Sequence, residues 1–282
     1  MTFCFAQQYD EIDAQVDPLR GLIDVKQLFR YTNEASTALD TLYLYDWNHA
    51  YSDTSTPLAA KLAQEFNFKF EKSQPDEKGH TKIQNFRSDL GSLNWHRLEK
   101  QKDIIAIHLT HPIQAQNSLV FSASYVVKLP ADDFTAYGIG NNDEISFRNG
   151  FLQFVNLGFD GKWNLDSNYG FNDRTALRSP TKFTICFPED YTIIPSIIGD
   201  WQNGCWQAMD IIQGDLAFYL KKTSDFKSLG SSNFEIVSDM AEDLETTQTG
   251  IGITKRMQKF AEDFFGNLSN QYFLIDSEFY NQ

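Results

Sequence analysis

Over the first two-thirds of the chain, apolar and polar residues take turns at a period close to two, which predicts strands with one face buried. Gly21–Thr32 follows this pattern loosely. Leu39–Trp47 is rich in residues that suit a half-buried pleated surface. Ile104–Thr110 and Leu119–Leu129 are stronger: in the second, Leu119, Phe121, Ala123, Tyr125 and Val127 share one face, and Pro130 stops the run. Phe151–Leu157, Thr181–Phe187 and Gln213–Leu220 predict three further strands. Asp160-Gly161 marks a turn between Phe159 and Lys162-Trp163. Asn203-Gly204 predicts a two-residue hairpin, because both turn positions require positive φ. Strands in this number, with no helical stripe among them, predict two packed sheets.

The last fifty residues change period. Phe234–Ser238 reads as a short buried strand and Asp239 to Glu245 as an acidic connection. Ile253, Met257, Phe260, Ala261 and Phe264 then recur at helical spacing, with Gly266 where a C-terminal cap belongs. Tyr272–Ile275 predicts one more strand. From Asn233 to Gln282 there are nine acids against three bases, so the acidity concentrates here. The reading is thus a mainly β fold, a twisted β-sheet or β-sandwich, followed by a short strand-helix-strand segment. The boundaries are a leader or extension over 1–18, a β-rich domain over 19–230 and the beginning of a second domain over 231–282, with Gly230–Asn233 as the joint.

Composition narrows the function. With 24 Lys and Arg against 38 Asp and Glu the net charge is −14, which argues against nucleic acid as a partner. No apolar run reaches the ~20 residues of a membrane helix, so no membrane span is expected. Aromatics at 15% rule against a disordered chain. The start, Met1 to Gln8, is apolar and ends near a small residue, like the tail of a secretory signal. It is a hint of export, to the periplasm or outside the cell, with a cytoplasmic location as the alternative, and is expected to stand outside the fold. Three cysteines, Cys4, Cys186 and Cys205, are too few for a disulfide scaffold and have no metal-ligand spacing, and Cys186 is expected to be a small buried hydrophobe.

The five histidines, His49, His80, His96, His108 and His111, contain no His-Glu-x-x-His. His108 and His111 end a strand and, three apart, point to opposite faces, so they do not converge on one metal. There is no phosphate loop and no Gly-x-Ser-x-Gly. Gly138-Ile-Gly140 leads into Asn-Asn-Asp, which is turn chemistry. The acidic pairs Asp132/Asp133 and Asp143/Glu144 are expected on a solvated surface. Trp47, Tyr51, Trp163, Tyr169, Trp201 and Trp206 could stack on sugars, but aromatics within strands are more often core. No catalytic, cofactor-binding or metal-ligating residue is assigned.

Several phrases, read in order, resemble the amino-terminal region of the aminopeptidase N family of zinc metallopeptidases, the gluzincins, in its divergent bacterial form. They are Leu19-Arg-Gly-Leu-Ile-Asp-Val25 with Phe29-Arg-Tyr-Thr-Asn33, Thr41–Tyr51 with Ser55-Thr-Pro-Leu58 as the exit of that strand, and Gln116-Asn-Ser-Leu119 leading into Tyr125–Pro130. Phe134–Gly138, Phe159–Trp163, Asn172-Asp173 and Phe187–Tyr191 continue the series. The resemblance implies a saddle-shaped β domain that packs on the chain's own thermolysin-like catalytic domain and walls a peptide-substrate cleft. The cleft residue such a domain supplies would fall near Arg148–Gln153. The zinc helix would come after Gln282, so zinc is expected only in a full-length relative and this chain alone should be inactive. The chain is therefore expected to be a fragment whose tail strands and helix are left partly uncovered. The other reading is a stand-alone exported β-sandwich that binds glycan or protein through surface aromatics.

Overall fold

The computed structural model describes residues 9–170, 179–210, 216–222, 227–231, 234–238 and 271–275, together with Gly252, Arg256, Lys259, Phe260 and Asp263. The strands of the first half are β1 (Tyr9–Asp17), β2 (Leu22–Thr32), β3 (Leu39–Tyr45), β4 (His80–Ser88), β5 (Gly91–Ser92), β6 (Asn94–Arg97), β7 (Ile104–Ile113) and β8 (Ser118–Lys128). Next come β9 (Gly138–Ile139), β10 (Ile145–Arg148), β11 (Gln153–Phe154), β12 (Thr181–Cys186), β13 (Thr192–Pro195), β14 (Gly199–Gln202) and β15 (Cys205–Asp210). The series ends with β16 (Ala217–Lys221), β17 (Lys227–Ser231), β18 (Phe234–Ser238) and β19 (Gln271–Ile275). The fold is mainly β, as the alternation predicts.

An eight-stranded sheet runs β14-β15-β12-β1-β2-β8-β4-β5, flanked by two four-stranded sheets, β13-β16-β10-β9 and β11-β3-β7-β6. All three contribute to one core. The large sheet supplies Ile12, Val25, Phe29, Phe121, Tyr125 and Phe183. The others supply Leu42, Leu44, Ile105 and Ile107, and Ile145, Phe147, Phe218 and Leu220. Phe29 stacks on Phe121 at 4.9 Å and Phe147 on Phe218 at 4.7 Å between ring centroids, adding oriented aromatic contact to plain burial. On β8 the side chains of Phe121, Ala123, Tyr125 and Val127 are buried, as their spacing requires.

The turn chemistry also holds. Asn203 and Gly204 adopt φ of 54° and 77°, joining β14 to β15 with Gln202 opposite Cys205. Gly161 takes φ 75° between Leu157 and Trp163, which bridge across the turn.

Several expectations need correction. Tyr9–Asp17, assigned to the leader, is β1, paired antiparallel with β2 and parallel with β12. Its core-facing Ile12, Ala14 and Val16 alternate with polar residues, a pattern hidden by the neighbouring acids. The joint at Gly230–Asn233 and the boundary at 230/231 cut across β17, which pairs antiparallel with β18, and β18 continues parallel to β19.

Thr56-Pro57, read as a strand exit, opens helix α1 (Pro57–Gln64), with the Thr56 hydroxyl accepting from Ala59 N and Pro at the first turn, where its missing N–H is no loss. A one-turn helix α2 (Lys69–Lys72) follows. In the tail, Gly252, Arg256, Lys259, Phe260 and Asp263 are helical, but Phe260, placed on the apolar stripe, is 63% exposed. Ile253, Met257, Ala261, Phe264 and Gly266 lie outside the described residues, as do the acidic connection, Met1–Gln8 and Asn172-Asp173.

Candidate functional site

The residues with chemistry gather at one end of β3. Asp46, immediately after that strand, is 1% exposed. Its Oδ2 accepts from Arg97 of β6 at 2.6 Å and its Oδ1 from the Thr81 hydroxyl of β4 at 2.6 Å. Arg97 also donates to the carbonyls of Lys102 at 2.8 Å and Thr81 at 3.0 Å. A buried carboxylate survives only with such compensation, since desolvation otherwise outweighs its attraction to a cation. Asn48 extends the network, donating to Thr81 Oγ1 and the Lys128 carbonyl and accepting from the Tyr137 hydroxyl at 3.0 Å. His49 Nδ1 accepts from Thr81 N at 3.2 Å. Burial, reinforced by the Arg97 charge, lowers the His49 pKa to about 4.

A second carboxylate, Asp103, is fully buried and accepts from the Ser167 hydroxyl at 3.0 Å and from Asn168 N at 2.6 Å. Burial raises its pKa despite those bonds. Asn168 in turn donates to the Trp47 carbonyl and accepts from Gly170 N. Together these bonds tie the 165–170 segment to the short helical turn at Trp47–Tyr51.

Between them lies a small cavity of about 10 Å³, lined by Trp47, Asn48, Tyr51, Tyr137, Arg148, Asn168 and Gly170. That is room for about one water. Among the described residues its one charged lining group is the Arg148 guanidinium, which donates to the Thr135 carbonyl at 2.9 Å. Tyr51 shares a 2.6 Å hydrogen bond with the Thr135 hydroxyl. The cavity suits a small hydrogen-bond acceptor better than a cation. The segment Arg148–Gln153, where the family resemblance places a cleft residue, thus contributes Arg148 to it.

A larger open cleft of about 580 Å³ lies between the loop at Glu34–Thr37 and the turn at Asn156–Gly161. Among the described residues its charged lining groups, Glu34 and Asp160, are both acids. Burial, and then the Glu34 charge, pushes the Tyr31 pKa up to about 12.

The other candidates scatter. His108 lies on β7 but meets His96 of β6, not His111, at 3.1 Å. Among the described residues no group of three or more His, Cys, Asp or Glu is placed to hold a metal ion. Of the six aromatics, Trp47, Tyr51 and Trp206 are buried and Trp163 packs against the core. Only Tyr169 and Trp201 are exposed, at 47% and 55%, and no shared sugar platform forms from the set.

Glu144, expected on a solvated surface, is buried and pairs with Lys221 at 3.0 Å while accepting from the Tyr219 hydroxyl. Cys186 and Cys205 form a disulfide. They are opposed partners of β12 and β15, 4.3 Å apart at Cα, a register that spacing along the chain does not reveal. Asp46, Asn48, Thr81, Arg97 and Asp103 carry no local signal for the same reason: each sits near a strand end, where a lone polar residue looks like a solvated terminus.

No family model matches the sequence, and no curated protein matches it. Solved structures do. Yeast leukotriene A4 hydrolase in complex with bestatin superposes at 10% identity and a TM-score of 0.54, covering 96% of this chain and 37% of that one. A mutant of a two-domain M1 zinc metallopeptidase bound to L-arginine matches at 11% identity and 0.53, over 96% and 56%. An M1 zinc metallopeptidase from Deinococcus radiodurans matches at 10% identity and 0.53, over 95% and 55%. This chain therefore spans between about a third and a little over half of the structures it matches. Over nearly its whole length, it has the fold of part of an M1 zinc metallopeptidase.

Proposed function

We propose that this chain is the amino-terminal β domain, with the start of the next, of a zinc aminopeptidase-like protein. In that protein it shapes one wall of the cleft that holds a peptide. The observation that carries the reading is the coverage: 96% of this chain superposes on 37–56% of the relatives. The chemistry agrees with a supporting part. The buried Asp46–Arg97 and Asp103–Asn168 networks hold the Trp47–Tyr51 turn and the 165–170 segment rigidly, as a wall requires. Zinc, with the water it activates, would belong to residues outside those described here. The half-buried Cys186–Cys205 disulfide supports an extracytoplasmic location, since such bonds persist in oxidising compartments.

The test is to identify the natural polypeptide by mass and to assay it beside the 282-residue chain on aminoacyl reporter peptides. A longer, zinc-containing polypeptide that hydrolyses them, with the shorter chain inactive, is the expected result. A natural polypeptide that ends with this chain and retains glycan or protein would establish the binding-domain reading instead.

A further inference from the structure

β6 and β7 pair antiparallel, with Asn94 opposite His108 and His96 opposite Ala106. This register makes His96 and His108 diagonal neighbours on one face of the sheet, within reach of long or aromatic side chains. Both are exposed. Their rings lie at 14° to each other with centroids 5.1 Å apart, and His96 Nδ1 is 3.1 Å from His108 Nε2. A first-row metal ion with imidazole bonds of about 2.0–2.1 Å holds two adjacent ligand nitrogens about 2.9–3.4 Å apart, from square to tetrahedral geometry. The observed separation falls inside that window.

We propose that His96 and His108 chelate a first-row transition-metal ion on this face, Cu²⁺ most tightly. The order follows from ligand chemistry: two neutral imidazoles suit copper, nickel and zinc, and affinity for a given nitrogen site peaks at Cu²⁺. At present one ring donates its N–H to the other. On metal binding that proton moves to the same ring's other nitrogen, so two neutral rings offer two lone pairs and no proton is lost. The lone pairs now face each other, and each exposed ring turns about its Cβ–Cγ bond to aim at a common point. Strand pairing holds the two residues together before the metal arrives, so the second imidazole acts at high effective concentration. With two protein ligands and water completing the shell, the ion exchanges readily, unlike one in a closed four-ligand structural site.

The test is calorimetric titration of the folded chain with Cu²⁺ and Zn²⁺ near neutral pH, in a Cys4→Ser background that removes a competing thiol, with electron paramagnetic resonance of the copper form. The expected result is one Cu²⁺ per chain, tighter than Zn²⁺, with a two-nitrogen hyperfine pattern. His96→Gln and His108→Gln should each weaken binding on the order of a hundredfold, while His111→Gln and His80→Gln leave it unchanged. Binding that survives both of the first substitutions, or follows His111 or His80, would overturn the assignment. So would a copper spectrum with one nitrogen ligand.

Discussion

The eight-stranded sheet and the β11-β3-β7-β6 sheet bury their inner faces in the same core but treat their outer faces differently. Along β2, buried Ile23, Val25, Gln27, Phe29 and Tyr31 alternate with exposed Asp24, Lys26, Leu28 and Arg30, so water covers one side of that strand. On β7 there is no such alternation at the start: Ile104, Ile105, Ala106 and Ile107 are all buried. The outer side there is covered by Tyr45, Trp47 and Val155, with Leu98, Trp163 and Leu165 packed against them. The Asp46–Arg97 pair lies at the margin of this layer. The large sheet thus keeps one face of β2 wetted, whereas the start of β7 is covered on both faces. The ionic network at its margin is shared with Thr81 of β4 and must stay fully partnered.

Asp46→Ala should break that second arrangement most severely. It leaves the Arg97 guanidinium and the Thr81 hydroxyl without their carboxylate, at a cost of about 3–5 kcal/mol in urea denaturation. In the large sheet, Phe121→Ala removes a stacked core ring and should cost about 3–5 kcal/mol. If Phe121→Ala proves severe while Asp46→Ala is tolerated, the contrast drawn between the two sheets fails.

Acid should separate them further. His49 has its pKa lowered from 6.5 to about 4 by burial and Arg97, so the folded state binds fewer protons than the unfolded one between those values. Stability is then complete above about pH 6.5 and declines as the pH falls toward 4, by up to roughly 3 kcal/mol. His49→Gln should flatten that limb in thermal melts taken across the range. A histidine NMR titration in which His49 protonates near pH 6.5 in the folded protein would remove the basis for this expectation.

Reducing the Cys186–Cys205 bond, which closes a loop of 19 residues in sequence separation, should lower stability by about 3 kcal/mol through the freedom returned to the unfolded chain. Melting with and without reductant measures it. The smallest effect belongs to Lys26→Ala on the wetted face of β2, expected within about 0.5 kcal/mol. A cost comparable to that of Phe121→Ala would mean that the outer face of the large sheet is covered as well.

Much of this fold was legible in the residues. The core face of β8, the hairpin at Asn203-Gly204 and the turn at Asp160-Gly161 each depend on atoms a few residues apart, and the structure forms all three. The candidate site was mostly illegible. Asp46 meets Arg97 across 51 positions and Thr81 across 35, and nothing local to any of them signals the meeting. Helix α1 was the exception: Thr56-Pro57 carried its signal, which a strand-rich context obscured.

Sequence alone determined the β character of the chain, the inward faces of its long strands and its tight turns. Side-chain period and backbone φ are properties of neighbours, and they act before any sheet has assembled. Tertiary structure decided that residues 9–17 belong to the central sheet, that Cys186 faces Cys205, that His108 turns to His96 and that Asp46 is buried against Arg97. Each of those outcomes depends on strand register and on what covers the outer face, and a one-residue change of register would send every such side chain to the other side.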